Sequence, residues 1–401
     1  MRRGTQTLAL MPANNGAPPA IARTWRESAE LGLPRPRVPH PTQPTTQGFR
    51  MSIYPTRSFF LAITFVLAAT AAQAAPSYRV TDLGARQGLA NNASGDVVGS
   101  GHDGPFLYHG GKVKLLARIG GPTSYAFDIN DAGAIAGASV SDDGWLHANV
   151  FADGVLHDLG LAVGAGTSSK TMGINNAGMA VGYRENTLGH PAQAFVYVDG
   201  QLTLLSPPPG AFDSRLNAVN SKGQAVGYAS ILFSGGSNYA PHAMSWKSGV
   251  WKRLPAISGL SHASSFALAI NDAGDIVGSS NVDQPFGRSH ATLWHKGVPK
   301  DLGTLGDPAL RRSGAFGINR FGRVVGYSDF DDQGNIHAIL HDGTVMRDLN
   351  EMVDATGAGW TLTMAWSIND AGQIVCEGKN GADLHAMLLT PLAQEAEAAP
   401  R

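Results

Sequence analysis

From residue 78 onward, short segments rich in β-branched and aromatic residues alternate with turns of Gly, Asn, Asp and Pro. This pattern predicts β-strands, and no helical periodicity of useful length follows residue 75. One phrase, Ile-Asn-x-x-Gly-x-x-Val-Gly in its fullest form, occurs seven times at intervals of 38, 45, 45, 51, 48 and 50 residues. An interval of this length is typical of one four-stranded propeller blade. The repeated asparagines are Asn92, Asn130, Asn175, Asn220, Asn271, Asn319 and Asn369.

Two further phrases follow the Asn-Gly phrase in the same order. The second is His-Ala followed by apolar or aromatic residues, although Pro105 and Gln193 replace the His in two repeats. Its histidines are His147, His242, His290, His337 and His385. The third is a Gly turn and an apolar segment that ends in Asp-Leu-Gly or a related sequence, as at residues 301–303. This repeated order predicts four strands in each repeat, named A to D.

The fifth repeat illustrates the predicted strands. They are A (Ser265 to Asn271), B (Asp275 to Ser279), C (His290 to Trp294) and D (Val298 to Leu302). Asn and Gly between A and B suit a tight hairpin, because Asn bonds its own backbone and Gly accepts a positive φ. Strand A alternates in size, so we expect its large and small residues on opposite faces. The large set is Phe266, Leu268 and Ile270, and the small set is Ser265, Ala267 and Ala269.

Each end of the repeat region contains one strand without its blade. Residues 78–84 form a D strand with no A, B or C before it, and residues 385–389 form a C strand with no D after it. The simplest arrangement is an all-β, seven-bladed propeller of four-stranded antiparallel blades, closed by an N-terminal strand that completes the last blade. An open array of hairpins or a β-helix is the alternative fold, and it leaves both end strands unexplained.

The Asn-x-x-Gly-x-x-x-Gly and His-Ala phrases together resemble the HAF repeat family of extracellular bacterial proteins. The resemblance covers nearly all of residues 78 to 390, and it implies export and a propeller-like repeat, with no catalytic motif and no agreed activity. Cys376 departs from the pattern. It stands where the other six repeats have Gly99, Gly137, Gly182, Gly227, Gly278 and Gly326.

The region before the repeats has the features of a secretory signal. In residues 51–74, Arg57 precedes an apolar segment, and an Ala-Gln-Ala cleavage site follows it. Because signal peptides begin at the N-terminus, we predict that Met51 is the initiator and that residues 1–50 are a non-native or disordered extension; a long targeting extension is the alternative. The predicted propeller spans residues 75–391, and residues 392–401 are a disordered tail. The mature protein is expected to be secreted or periplasmic, without a transmembrane anchor.

Charge and cysteine content narrow the classes of partner. Residues 1–74 contain eight Arg and two Glu, so the remainder has 22 basic and 29 acidic residues and a formal net charge near −7. This balance argues against nucleic acid as a partner, because binding it requires clustered Lys and Arg.

Cys376 is the single cysteine, so no intramolecular disulfide can form. We expect a small buried residue in a Gly position, with a reactive thiol as the alternative.

No catalytic or cofactor motif is found. The sequence lacks Gly-x-Ser-x-Gly, His-Glu-x-x-His, a Gly-Lys-Ser/Thr phosphate loop and Cys-x-x-Cys, and we predict no cofactor. The five strand C histidines would be spread around the propeller, so they cannot converge on one zinc ion and are interpreted as structural. Asp329, Asp331 and Asp332, ahead of Gly334, are weak calcium candidates. A solvated loop is the alternative interpretation.

The loops from B to C and from D to A vary in length and share one rim, which we name the long-loop face; the tight A–B and C–D turns share the opposite, short-turn face. Variable loops on a rigid scaffold usually carry binding residues. On the long-loop face, the predicted ligand-binding residues are Tyr239, Phe286, Arg311, Arg312 and Trp360.

These features predict an exported, non-catalytic binding or structural module at the cell envelope or outside it, with a glycan or a protein as its ligand. The alternative is a secreted polysaccharide hydrolase or lyase that uses the same face. Such an enzyme needs two or three carboxylates within about 5 to 10 Å of one another, whereas a binding protein needs an aromatic platform.

Overall fold

A computed structural model describes residues 78–392, apart from residues 122, 165, 186–190, 233–238 and 284–286. The predicted signal peptide and the extension before it lie outside the described residues, as does the end of the chain from residue 393. The described part forms seven four-stranded antiparallel sheets. The predicted seven-bladed, all-β propeller is therefore confirmed.

The first strand, β1 (Tyr78–Asp82), belongs to the last blade, and the other strands follow blade by blade. Blades one to three contain β2 (Arg86–Asn91), β3 (Val97–Gly101), β4 (Gly104–His109), β5 (Lys112–Leu115), β6 (Ser124–Ile129), β7 (Ile135–Val140), β8 (Leu146–Ala152), β9 (Val155–Asp158), β10 (Ser168–Ile174), β11 (Ala180–Glu185), β12 (Gln193–Val198) and β13 (Gln201–Leu204). Blades four and five contain β14 (Arg215–Val219), β15 (Ala225–Leu232), β16 (Tyr239–Lys247), β17 (Val250–Arg253), β18 (Ser265–Ile270), β19 (Ile276–Asn281), β20 (Ser289–His295) and β21 (Val298–Asp301). Blades six and seven contain β22 (Ser313–Ile318), β23 (Val324–Asp329), β24 (Ile336–His341), β25 (Met346–Asp348), β26 (Thr361–Ile368), β27 (Ile374–Asn380) and β28 (Asp383–Pro391).

Helical structure in the described ranges is confined to connections between blades. It consists of α1 (Gly160–Val163) and the 3-10 turns Leu349–Glu351 and Ala355–Gly357. In this part of the chain, no helix has the length and apolar character needed to cross a membrane.

The N-terminal strand closes the ring. β1 pairs antiparallel with β28, so Tyr78 lies opposite Pro391 and Asp82 opposite Met387. The pairing continues beyond β1, where the N–H of Leu83 donates to the carbonyl oxygen of Ala386 at 2.9 Å. The predicted completion of the last blade is confirmed, and it removes two sheet edges.

The four strands of each blade run from the axis to the outside. The first strands of neighbouring blades contact one another around the whole ring, whereas the fourth strands of blades one to five are largely exposed. The apolar core is therefore divided among the interfaces between blades. The interface between blades four and five, for example, contains Val226, Ala243, Ala267 and Trp294.

The predicted alternation of strand A is wrong in detail, because every first strand contains a β-bulge. In β18 the register shifts between Ala267 and Ala269, which leaves Leu268 out of the ladder. Ala267 and Ile270 consequently pack with blade four, and Ala269 packs with blade six. One extra residue in the strand reverses the faces of the side chains that follow it.

The bulge also explains the repeated glycine of strand B. A Cβ at Gly278 would lie 1.9 Å from the carbonyl oxygen of Phe266, and the equivalent glycines of the other five repeats meet the equivalent oxygen at 1.9 to 2.3 Å. Blade seven accommodates Cys376 because β26 contains a second register shift, between Leu362 and Met364. Cys376 is fully buried, and burial raises the pKa of its thiol.

The seven repeated asparagines form a closed ring of hydrogen bonds around the axis. Each Nδ2 donates to the main-chain oxygen of the next repeated Asn at 2.9–3.4 Å, from Asn92 to Asn130 and finally from Asn369 back to Asn92. The Oδ1 atoms accept turn amides, as Asn271 does from Asp275 at 2.9 Å. These residues shape the A–B turn and join neighbouring blades.

The strand C histidine is hydrogen-bonded to the residue at the Asp position of the Asp-Leu-Gly phrase. The Nδ1 atoms of four histidines lie 2.6–3.0 Å from carboxylate oxygens, in the pairs His147–Asp158, His290–Asp301, His337–Asp348 and His385–Asp82. In blade four, Arg253 replaces the Asp and lies 3.0 Å from His242. Burial and this arginine lower the pKa of His242 to about 4. The second and third repeated phrases are therefore bonded to each other across the outer strands.

Candidate ligand-binding site

At the short-turn face, the axis opens into a cavity of about 250 Å³ that is lined by the asparagine ring and the residues after it. These polar groups bond across blade boundaries. Asp131 accepts the N–H of Ala93 at 2.8 Å and the side-chain amide of Asn176 at 2.6 Å. Asp370 likewise accepts the N–H of Arg320 at 2.9 Å. The hydrogen bonds at this mouth therefore hold the ring together.

The opposite mouth of the axis, on the long-loop face, differs from blade to blade. The residue five positions before each repeated Asn lies near the start of the innermost strand, at this end of the ring. These residues are Gln87, Tyr125, Lys170, Arg215, Phe266, Gly314 and Met364. Unlike the uniform asparagine position, this position contains two cations and two aromatic residues.

Lys170 and Arg215, on the neighbouring strands β10 and β14, converge on Glu185 at the end of β11. The Nζ of Lys170 lies 3.3 Å from Oε1 of Glu185, and Nη2 of Arg215 lies 3.5 Å from Oε2. The ammonium also donates to the hydroxyl oxygen of Tyr183 at 3.4 Å. Two cations therefore share one carboxylate at the mouth of the axis.

Aromatic rings surround this pair of cations. The guanidinium carbon of Arg215 lies 4.7 Å from the ring centre of Tyr183 and 5.6 Å from that of Tyr228. Tyr228 in turn contacts Phe266 of the next blade edge-on, with ring centres 4.9 Å apart. We name this group the axial cluster; its members are Lys170, Tyr183, Glu185, Arg215, Tyr228 and Phe266.

The surroundings decide the protonation states of the cluster. Burial raises the pKa of the Tyr228 phenol, and the nearby Arg215 lowers it by less. Burial disfavours the charged form of Lys170, but Tyr183 and Glu185 outweigh that effect and the pKa of Lys170 is raised. The pKa of Arg215 is raised in the same way, against burial, by Tyr228, Tyr183 and Glu185. At neutral pH the cluster therefore contains two stable cations and a neutral phenol.

The axial cluster has more hydrogen-bond donors than acceptors. A guanidinium and an ammonium carry only donors, and here both are directed at the same carboxylate. The buried Nε of Arg215 has no hydrogen-bond partner within the described ranges. A bound group with oxygen acceptors could accept from the accessible N–H groups of these two side chains, and a carboxylate would form the strongest bonds with them.

Two of the predicted aromatic residues pack against other rings on the long-loop face. Tyr239 begins β16 and is exposed, with its ring centre 5.1 Å from that of Phe212. Trp360 is tilted against His385, with ring centres 4.6 Å apart, and packs on the core of the last blade. Phe286 lies outside the described residues. Trp360 is therefore in large part an anchor for its own loop.

The two predicted arginines connect loops of blade six. Arg311 forms an ion pair with Asp332 at 3.0 Å, and the N–H of Arg312 donates to Asp329 at 2.9 Å. The third calcium candidate, Asp331, accepts the side-chain amide of Asn335 at 2.6 Å. In the described part of the chain, no group of three or more His, Cys, Asp or Glu residues is placed to hold a metal ion.

Sequence analysis did not identify the axial cluster, because its members are separated by up to 96 positions and belong to three blades. One signal was nevertheless present. When the seven repeats are aligned on their asparagines, the position of Lys170 and Arg215 varies in charge and size from repeat to repeat. Variation within a uniform repeat marks a position that the scaffold itself does not require.

No protein family model matches the chain, and no curated protein matches it. Among solved structures, the chain is similar to YCF48 bound to D1 peptide, with 12% identity and a TM-score of 0.47 over 81% of this chain and 99% of that one. It is similar to the β-propeller domain of the Trilobed protease from Pyrococcus furiosus, with 10% identity and a TM-score of 0.45 over 79% and 94%. It is also similar to the extracellular domain of BT4673 from B. thetaiotaomicron, with 9% identity and a TM-score of 0.44 over 78% of this chain; the match spans only 39% of that chain.

Proposed function

We propose that this protein is an exported, non-catalytic binding module of the HAF repeat type, which binds an acidic glycan at the axial cluster on its long-loop face. The observation that carries the proposal is the convergence of Lys170 and Arg215 on the single carboxylate of Glu185, among aromatic rings. In a chain whose residues after 74 have a net charge near −7, this pair of partly buried cations is a local exception.

The chemistry of the cluster favours a sugar acid. A hexuronate carboxylate can accept from the guanidinium of Arg215 and the ammonium of Lys170 in charge-assisted hydrogen bonds. Tyr183, Tyr228 and Phe266 provide apolar ring surface for the C–H groups of a pyranose. A ligand of this class uses both the cationic and the aromatic parts of the site.

The protonation states favour binding over catalysis. A general base or nucleophile requires a pKa near the working pH, whereas the pKa values of Lys170 and Tyr228 are both raised above their already alkaline ordinary values. A raised pKa does not suit either group to act as a general base near neutral pH. Lys170 and Tyr228 are thus better suited to holding an anion than to removing a proton from a substrate.

The test is calorimetric titration of residues 75–401 with galacturonate and alginate oligomers, with neutral malto-oligosaccharides as the comparison ligands. We expect Arg215→Gln to raise the Kd for the acidic oligomers about tenfold or more, which corresponds to one charge-assisted hydrogen bond. Affinity should also fall with added salt. Arg320→Gln, which removes a 64% exposed side chain at the opposite mouth, is the matched control and should leave the Kd unchanged.

Two results would decide against the proposal. If the Arg215 and Arg320 substitutions changed the Kd for the acidic oligomers equally, the axial cluster would not be the binding site. Release of reducing ends from an acidic polysaccharide, lost in Glu185→Gln, would establish the hydrolase or lyase alternative.

Export is tested separately: after expression of the full chain in a bacterial host, the secreted or periplasmic product should begin at Ala75.

A further inference from the structure

A second concave region extends along β25, the outermost strand of blade six, away from the axis. It encloses about 380 Å³ and is lined by Leu305, Phe330, Val345, Arg347 and Glu351 together with neighbouring residues of the same loops. Leu305 comes from the loop before β22 and Phe330 from the loop between β23 and β24, both on the long-loop face. Val345 ends the tight turn before β25, and the other residues belong to β25 and the 3-10 turn after it. The volume is in the range of small-molecule sites.

The floor of this cavity contains an aromatic ring with one covered and one open face. Phe330 stacks on the imidazole of His337, with ring centres 3.8 Å apart and planes at 12°, yet the residue is 48% exposed. Since His337 covers one face, the exposure belongs to the other face and the ring edge. The imidazole is itself held by Asp348 at 2.6 Å. The Phe330 ring is therefore held in place by the histidine on which it stacks.

The loop that carries Phe330 is held in place as well. The N–H of Phe330 donates to the carbonyl oxygen of Asn335 at 2.8 Å, and Asp331 accepts the side-chain amide of Asn335 at 2.6 Å. A ring that is already fixed loses little conformational entropy when a ligand covers it, which favours binding.

The remaining walls combine an apolar side with polar edges. Val345 is half exposed and Leu305 is partly exposed, so they extend the apolar surface. Glu351 is exposed and provides acceptor oxygens, and Arg347, whose Nε donates to Asp342 at 3.1 Å, lies at the other edge. A flat apolar face with hydrogen-bonding groups at its rim matches a pyranose, which has a C–H face and a ring of equatorial hydroxyls.

We propose that this cavity is a carbohydrate subsite that binds a neutral pyranose, with one C–H face of the sugar on the open face of Phe330. Glu351 accepts hydroxyl hydrogens at the edge of the sugar and disfavours an anionic one by repulsion. In blade seven the ring beside the strand C histidine comes from a different loop: Trp360 precedes β26, is tilted 37° against His385 and packs on the core. This subsite is independent of the axial cluster, which lies on blades three to five.

Saturation-transfer NMR and calorimetric titration with methyl glycosides of glucose, galactose, mannose and N-acetylglucosamine test the proposal. We expect at least one of them to bind with a Kd near 1 mM, as is ordinary for one small ring on one platform. Phe330→Ala should weaken this binding at least tenfold, and Phe330→Trp should retain it. Phe321→Ala removes a 53% exposed phenylalanine from the short-turn face and should have no effect.

The outcomes separate this subsite from the axial one. Arg215→Gln should not change the binding of neutral glycosides, whatever it does to acidic oligomers. Absence of binding by all four glycosides overturns the subsite, as does equal binding by wild type and Phe330→Ala. A preference for glucuronate that depends on Phe330 overturns the neutral class. Matching melting temperatures of the Phe330 variants and the wild type exclude unfolding as the cause of any loss.

Discussion

Asp128 is a carboxyl group that we expect to couple the stability of the propeller to pH. It lies two residues before Asn130, at a position where the other blades have Ala, Gly or Ser. Its oxygens accept the N–H of Ile129 and, in the next blade, the N–H of Ile174, both at 2.9 Å. Burial raises its pKa from 3.8 to about 7, because these two hydrogen bonds lower the pKa by less than burial raises it.

The raised pKa of Asp128 determines how the unfolding free energy changes with pH. Between about pH 4 and 7, the folded protein binds the proton of Asp128 more tightly than the unfolded chain does. The resulting stabilisation is fully present below the unfolded pKa and is lost as the pH rises through about 7. About three pKa units at about 1.4 kcal/mol each correspond to roughly 4 kcal/mol. Part of the residue remains exposed, so this figure is an upper value.

Asp128→Asn removes the titration and also one of the two N–H acceptors, because an amide nitrogen cannot accept. We expect the variant to lose about 1 kcal/mol of unfolding free energy at pH 4 and to exceed the wild type by up to about 3 kcal/mol at pH 8. Urea unfolding at a series of pH values, followed by tryptophan fluorescence, measures this difference. A difference that stays constant from pH 4 to pH 8 would refute the raised pKa.

Two substitutions test the architecture. Gly278→Ala should lower the unfolding free energy by at least about 3 kcal/mol, because its Cβ would lie 1.9 Å from a main-chain oxygen. Cys376→Ala, at the equivalent position of a blade that accepts a side chain, should lower it by about 1–2 kcal/mol. Equal losses in urea unfolding would contradict the bulge argument. Asn271→Ala removes the acceptor for the Asp275 amide and the bond to the next blade, so about 2–3 kcal/mol of unfolding free energy should be lost. The control, Asn335→Ala at an exposed position, should lose less than about 1 kcal/mol. A loss at Asn271 as small as the control's would show that water replaces the bonds of the ring.

Much of the fold could be predicted because each blade repeats the same turn residues and the same spacing between strands. Asn271 and Gly274 define a turn within four residues, and the spacing to His290 and Asp301 places the next strands. The orphan strand at residues 78–84 even indicated how the ring closes. The β-bulge at Leu268 was not predicted, because it depends on strand pairing; its trace in the sequence, the repeated strand B glycine, can be interpreted only with the partner strand in place.

The candidate sites were predicted less well. Loop lengths indicate the long-loop face, and Arg311 and Trp360 are conspicuous side chains on it; the structure shows that each makes contacts within its own region, Arg311 with Asp332 and Trp360 with His385. The axial cluster and the Phe330 platform consist of ordinary residues whose significance appears only when blades and loops are brought together.

The sequence by itself determined the number of repeats, their four strands and the turn between the first two, since turn chemistry and strand periodicity act over a few residues. Tertiary structure decided the contacts between strands and between blades: the glycine that faces a carbonyl oxygen of the neighbouring strand, the asparagine ring, and the meeting of Lys170 with Arg215. Hydrogen bonds, steric overlap and ion pairs act over a few ångströms in space, and the bonded asparagines, 38 to 277 positions apart in the sequence, come within that range only when the blades pack into a ring.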